Sequence, residues 1–172
     1  MKWLIAAMVA GLAPLLQVAA APLFPLDGAT PDVVLLAAFA LAVGFGPRAA
    51  MVALPCMVVG LALGGGRSVF LLMLGYVPLL PLGYALESSP VPLNRFARSL
   101  VAVLLTGAWA RLLLAVGAYA DGAAFSLREL TGDVLISGAI LDGVLLTLLY
   151  APFRLAGATG RSWTPARTGW FQ

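Results

Sequence analysis

Charge is scarce in this sequence. Only 10% of its 172 residues are charged, whereas 62% are hydrophobic and the mean hydropathy is +1.04. A soluble domain carries about a quarter charged residues, so ten basic and seven acidic side chains cannot cover a water-exposed surface of this size. This scarcity excludes a soluble enzyme, a nucleic-acid-binding protein and a disordered chain. It predicts a protein that is solvated by lipid.

Histidine is absent, and cysteine occurs once, at position 56. Histidine is the usual general base and the commonest metal ligand, and a single cysteine forms neither an intramolecular disulfide nor a thiolate cluster. Cys56 lies in an apolar run and is interpreted as a packing residue. The sequence contains no Walker loop, no GxSxG elbow and no HExxH motif. We therefore expect a protein that is not an enzyme and that has no cofactor or metal.

Long apolar runs are what the sequence does contain. About 20 helical residues cross a ~30 Å hydrocarbon core, and these runs lack the alternation of barrel strands, so the predicted fold is an all-α integral membrane protein. The second and third runs are short and separated only by Gly46-Pro47-Arg48, which predicts a short helical hairpin or, alternatively, a single re-entrant hairpin. We expect one polytopic domain, residues 1–172, with six helices near 3–24, 33–45, 49–64, 69–86, 99–120 and 134–153 and a tail at 154–172.

Lysine and arginine are unevenly distributed between alternate loops. If the N-terminus is cytoplasmic, seven lie on the cytoplasmic side and two on the opposite side, which is the bias that orients membrane proteins. Both termini are therefore predicted to be cytoplasmic. The first run also has features of a cleavable signal peptide, but we expect it to be the first membrane helix. The cytoplasmic set is Lys2, Arg48, Arg95, Arg98, Arg154, Arg161 and Arg167, and the opposite set is Arg67 and Arg128.

Two charges fall inside predicted spans, Arg111 in the fifth and Asp142 in the sixth. At about 1.5 Å per residue they lie roughly 13.5 and 12 Å from the outer ends of their helices. Consecutive antiparallel helices are usually neighbours, and charges at such depth are usually paired. We predict a structural intramembrane pair. The alternative is that Arg111 reaches a carbonyl while Asp142 faces water or is protonated.

Three shorter patterns predict local structure. Thr30-Pro31-Asp32 predicts a helix start, since Thr30 can cap, Pro31 suits the first helical position and Asp32 complements the helix dipole. Ser126 and Glu129 have capping-box spacing, which predicts that a helix begins there and runs into the last span. Gly60 and Gly64 allow close helix approach, and we favour internal packing over a partner interface.

Several motifs occur in a characteristic order along the chain. They are Leu16-Gln17, the Thr30–Leu36 segment, Gly46-Pro47-Arg48, the Gly64–Ser68 segment, Gly75-Tyr76 and Tyr150-Ala151-Pro152-Phe153. In these motifs and their order the sequence resembles MreD, the rod-shape-determining membrane protein family of bacteria, over most of residues 1–155. It departs from that family where Leu61-Ala62-Leu63-Gly64 lacks an acid and where Ala49 replaces a glycine.

The resemblance implies a non-enzymatic scaffold or regulator of the cell-wall elongation (rod) complex, which controls cell shape from the bacterial cytoplasmic (inner) membrane. Its direct partner would be an MreC-type single-pass membrane protein. The wall synthase RodA with its penicillin-binding transpeptidase, and the actin-like MreB, would be indirect partners. Nucleic acid is not expected as a partner.

The alternative function is the substrate-binding component of an energy-coupling-factor vitamin transporter, which is also a six-helix membrane protein of this size. Ala6 and Ala10 have the small-residue spacing that such components use for docking. A vitamin pocket would need polar and aromatic side chains near the external side. The external loops are short, and Trp3, Trp163 and Trp170 are expected on the cytoplasmic side, which favours the scaffold.

Overall fold

The computed structural model consists of helices and short connections, without strands, over the residues it describes, which are 2–26, 28–88, 94–124, 126 and 128–155. Five segments are long and apolar enough to cross a membrane: Trp3–Leu23, Pro47–Gly65, Val69–Leu86, Phe96–Ala120 and Glu129–Pro152. The fold is that of an all-α, multi-pass membrane protein. Its helices are α1 (Lys2–Ala19), α2 (Val33–Phe45), α3 (Pro47–Gly65), α4 (Val69–Tyr76), α5 (Leu79–Ser88), α6 (Arg95–Ala120) and α7 (Ser137–Leu155), with a 3₁₀ turn at Ala21–Leu23 and a π-helical segment at Glu129–Ile136.

Helix α2 lies at the centre of the bundle. It packs against α1, α3, α6 and α7, and most of its side chains are buried. Its sequence is apolar on every face, as expected of an enclosed helix. Thirteen residues span only about 20 Å, so α2 is shorter than a bilayer core is thick. A helix of this length fits inside a ring of longer helices.

The hairpin between α2 and α3 turns at Gly46. This residue has φ 95°, a conformation that glycine adopts without a steric penalty. Pro47 then occupies the start of α3, where its missing N–H is tolerated. Because α3 is itself long enough to cross a membrane, the two helices form a hairpin of one short and one full-length helix.

Close packing of α1 on α3 depends on two glycines. A Cβ placed on Gly60 would lie 2.9 Å from Cγ of Pro14, and one placed on Gly64 would lie 3.1 Å from Cγ2 of Val18. The small residues therefore let the two helices approach each other. The Gly60/Gly64 spacing is used for packing inside the chain.

The fourth and fifth spans differ from the sequence expectation. Residues 69–86 do not form one helix: α4 ends at Tyr76 and α5 begins at Leu79, because Pro78 has no N–H to continue the ladder. Helix α6 begins at Arg95 rather than at residue 99, because the Asn94 side chain accepts a 2.7 Å hydrogen bond from the amide of Ala97 and caps the helix.

The other boundaries shift as well. The last span begins at Glu129 rather than at residue 134, because Ser126 and Glu129 form reciprocal hydrogen bonds of 2.7 and 3.2 Å across the predicted capping box. Helix α1 ends at Ala19 instead of extending to residue 24, and α3 begins two residues earlier than expected, at Pro47. Of the predicted tail, residues 154–155 continue α7, and residues 156–172 lie outside the described part of the chain.

Candidate functional site

The candidate site lies at one end of the bundle, called the outer end because the charge bias predicts it to face away from the cytoplasm. The last turns of α1, α3 and α6 and the first turns of α2 and α4 meet there. Arg111 lies nine residues before the end of α6 at Ala120, which is about 13.5 Å of helix. The short α2 begins at this depth, so space remains between its first turn and the outer ends of its neighbours.

Arg111 on α6 and Asp142 on α7 form an ion pair in which Nη2 lies 2.6 Å from Oδ2. The Asp142 side chain is fully buried, and the Arg111 side chain is 11% exposed. These two charges were predicted to pair because they lie at similar depths in consecutive helices, and the structure brings them into contact. Because an unpaired charge is costly at such a position, the pair stabilises the packing of α6 on α7.

Asp32 connects α2 to this ion pair. Its backbone N–H donates a 2.8 Å hydrogen bond to Oδ1 of Asp142. Its carboxylate caps α2 by accepting from the amide of Leu35 at 2.9 Å, and it accepts from the hydroxyl of Tyr76 at 2.9 Å. The prediction that Thr30 caps this helix is therefore wrong. Asp32 is the N-cap, and Thr30 and Pro31 precede the helix.

The side chain of Gln17 on α1 forms hydrogen bonds to the backbone at the start of α2. Its Oε1 accepts from the amide of Val33 at 2.6 Å, and its Nε2 donates to the carbonyl of Pro31 at 3.0 Å. The amide of Val33 is one of the first-turn donors that a helix cannot satisfy internally. Five helices are thus joined by one network, which consists of Gln17, Asp32, Tyr76, Arg111 and Asp142.

Two glycines make room for the guanidinium of Arg111. A Cβ on Gly107 would lie 3.0 Å from Nη1 of Arg111 and 3.1 Å from Oδ2 of Asp142. A Cβ on Gly138 would overlap the guanidinium itself. The ion pair therefore occupies a slot between α6 and α7 that is lined by glycine on both helices.

A cavity of about 340 Å³ lies above this network, and its polar lining residues are Gln17, Thr30, Asp32, Arg67, Tyr76 and Arg111. A second cavity of about 340 Å³ adjoins the first and shares Thr30, Arg67, Arg111 and Leu114 with it. Its remaining wall is largely apolar. Each volume is within the range of small-molecule sites.

The chemistry of the site is that of hydrogen bonds and ion pairs. Only two carboxylates meet in the network, and nowhere in the described ranges do three or more histidine, cysteine or acidic side chains gather in a way that could hold a metal ion. The groups present can bind and orient a polar molecule.

Sequence reasoning missed Gln17, Tyr76 and Arg67 as site residues and gave Asp32 only a role at a helix start. Asp32 and Asp142 are 110 residues apart in sequence, and no local spacing indicates that they meet. One signal was present: α2 is shorter than a bilayer core is thick, so a carboxylate at its first turn is expected to lie below the membrane surface and to need partners.

The fold and the network define a multi-pass membrane protein with a buried ionic core at one end. No protein-family model, curated protein or solved structure matches this chain.

Proposed function

We propose that this protein is a non-enzymatic scaffold of the bacterial cell-wall elongation (rod) complex, of the MreD type, and that it binds an MreC-type single-pass membrane protein in the cytoplasmic membrane. One observation carries the proposal. Leu16-Gln17, Pro31-Asp32 and Gly75-Tyr76, three motifs on which the resemblance to MreD rests, contribute Gln17, Asp32 and Tyr76 to a single hydrogen-bonded network. Motifs that share one structural role support a common family pattern better than isolated matches do.

The proposal includes cytoplasmic termini and six membrane crossings, which are the five long segments and the shorter helix α2. The connection at Gly46 and the short segment between α3 and α4 leave no room for a soluble domain. Binding would therefore occur through helix faces within the membrane.

Helix α2 offers one such face. Val33, Ala37, Ala40 and Gly44 follow one another at helical spacing and are only half-buried. Helices α1 and α7 both pack on α2 but barely touch each other, so this face lies at the opening between them. Small residues let helices approach closely in lipid. We expect the membrane helix of the partner to pack at this opening.

Co-purification from detergent tests the proposal. The chain is coexpressed with the MreC-type protein of the same genome, and the bitopic protein is captured by a tag. The wild-type chain should co-elute, and Ala40→Trp should abolish co-elution by blocking the opening. Leu63→Trp is the matched control, because Leu63 is 82% exposed on α3. Separate elution of two folded wild-type proteins would contradict the scaffold function.

The burial of Ala6 and Ala10 counts against the transporter alternative. Ala6 and Ala10 are 4% and 7% exposed and belong to the core of the bundle. They are therefore not available as a docking surface for a transporter module. The cavity at the outer end does not depend on that alternative.

A further inference from the structure

We propose that the paired cavities at the outer end form a binding site for an anionic amphiphile, a molecule in which a phosphate or carboxylate group is attached to a small apolar group. This site is separate from the scaffold function, which requires only helix faces. Its two parts are the polar cavity above the five-residue network and the adjoining apolar cavity between α6 and the π-helical segment.

The polar cavity has more hydrogen-bond donors than acceptors to offer. Both carboxylate oxygens of Asp32 already accept a hydrogen bond, and Asp142 is fully buried beneath the cavity floor. Arg111 uses Nη2 for its ion pair, and Arg111 also lines the cavity together with Arg67. Guanidinium groups bind carboxylate and phosphate through paired, charge-assisted hydrogen bonds. The acceptor-rich part of the ligand therefore belongs between Arg67 and Arg111.

The adjoining cavity supplies an apolar wall. Leu114, Ala115 and Ala118 of α6 face Leu130 and Val134 of the π-helical segment across it. Glu129 also lines this cavity, and its carboxylate accepts a hydrogen bond from the amide of Ser126. The π-helix is an uncommon conformation that is frequently found at functional sites. The apolar part of the ligand therefore belongs beside Ala118.

Charges at membrane depth support a binding role. Arginine and aspartate inside spans are rare, and they usually face the interior or a water-filled cavity that marks a substrate path. In this chain the short α2 opens such a cavity directly above the ion pair. A purely structural pair would need no opening.

Isothermal titration calorimetry on the full-length protein in a neutral detergent tests the site with n-hexyl phosphate as the probe. We expect saturable binding of n-hexyl phosphate, weaker binding of inorganic phosphate and no binding of hexanol. Arg67→Gln should raise the Kd of n-hexyl phosphate about tenfold or more, because a hydrogen bond to a charged group is lost. Ala118→Phe should weaken n-hexyl phosphate but not inorganic phosphate. Arg128→Gln, at another exposed external arginine, should leave both unchanged.

The melting temperature of each variant shows that it is folded, and Arg67 is suited to this test because it is exposed at the rim. The proposal is overturned if folded wild-type protein binds no n-hexyl phosphate, or if Arg67→Gln and Arg128→Gln have equal effects. Native mass spectrometry then distinguishes the natural source. A retained anionic phospholipid assigns the site to a lipid headgroup, and a smaller retained anion assigns it to a free solute. Zwitterionic phospholipid retained equally by wild type and Arg67→Gln would also overturn the proposal.

Discussion

The backbone amide of Asp32 donates a 2.8 Å hydrogen bond to the carboxylate of Asp142, across 110 residues of sequence. The second oxygen of that carboxylate is paired with Arg111 at 2.6 Å. One fully buried carboxylate therefore joins the first turn of α2 to both α6 and α7. Its removal affects two interactions, whereas removal of Arg111 affects one.

This asymmetry predicts the outcome of a double-mutant cycle. Arg111→Leu leaves Asp142 buried without its cation, which costs about 3–5 kcal/mol. Asp142→Leu leaves Arg111 without its anion. It also leaves the amide of Asp32 without its acceptor, which lowers the free energy of unfolding by a further ~1–3 kcal/mol. The double variant should recover part of the loss, because neither charge is then unpaired. Unfolding of the purified protein in mixed detergent, followed by tryptophan fluorescence, measures all three free energies. Losses that simply add would show that the two charges do not interact.

A second cycle concerns Asp32 and Tyr76. Tyr76→Phe removes one hydrogen bond and should cost about 1 kcal/mol in the wild-type background. Asp32→Ala removes the cap of α2, at about 1 kcal/mol, and leaves the buried hydroxyl of Tyr76 unpaired, at ~1–3 kcal/mol. In the Asp32→Ala background, Tyr76→Phe should therefore be neutral or stabilising. Asp32→Asn keeps an oxygen for the cap and should be milder than Asp32→Ala. The same unfolding measurement applies, and an equal cost of Tyr76→Phe in both backgrounds would contradict the contact.

The sequence allowed the helices to be predicted because lipid leaves a spanning chain few alternatives. The contact of Arg111 with Asp142 could also be anticipated, since consecutive helices pack together and a constant rise converts position into depth. The break between Tyr76 and Leu79 could have been read from Pro78. The π-helical segment at Glu129 could not, because its hydrogen bonds depend on packing and have no distinct sequence period.

The rest of the site arises from the arrangement of helices around α2. Gln17, Asp32 and Tyr76 lie on three different elements, and no local pattern specifies that α1 and α4 flank the same helix end. Asp32 precedes an apolar run, where a loop is the simplest interpretation, whereas Gln17 and Tyr76 lie inside two other apolar runs. Their contact follows only when the first turn of α2 is placed between α1 and α4.

Membrane topology provides a prediction that is independent of the site. The charge bias predicts that both termini lie in the cytoplasm, so alkaline phosphatase fused after Gln172 should be inactive and a fluorescent protein at the same point should be bright. Phosphatase inserted at Gly122, in the turn after α6, should be active because the charge bias predicts that the outer end faces away from the cytoplasm. The opposite pattern at both positions would indicate inverted insertion, and activity at both would indicate an odd number of crossings.

The glycine slot around Arg111 predicts a graded series of alanine variants. Gly138→Ala places a methyl group in the position of the guanidinium, so the ion pair must shift, and we expect a loss of about 1–3 kcal/mol, as for overpacking of a core. Gly107→Ala meets Nη1 of Arg111 at 3.0 Å and should be less harmful, since a small displacement relieves the contact. Gly11→Ala is the control: it lies in α1 with nothing within 4 Å of the added Cβ, and alanine should stabilise the helix by roughly 0.5–1 kcal/mol.

The origin of the Gly138 effect can be isolated by repeating that substitution in the Arg111→Leu, Asp142→Leu background. Leucine at position 111 ends in a branched carbon instead of a planar guanidinium, and it has no partner that fixes its position beside Gly138. The cost of Gly138→Ala should therefore fall in this background when measured by unfolding in mixed detergent. An undiminished cost would place the constraint in the backbone of α7 and not in the ion pair.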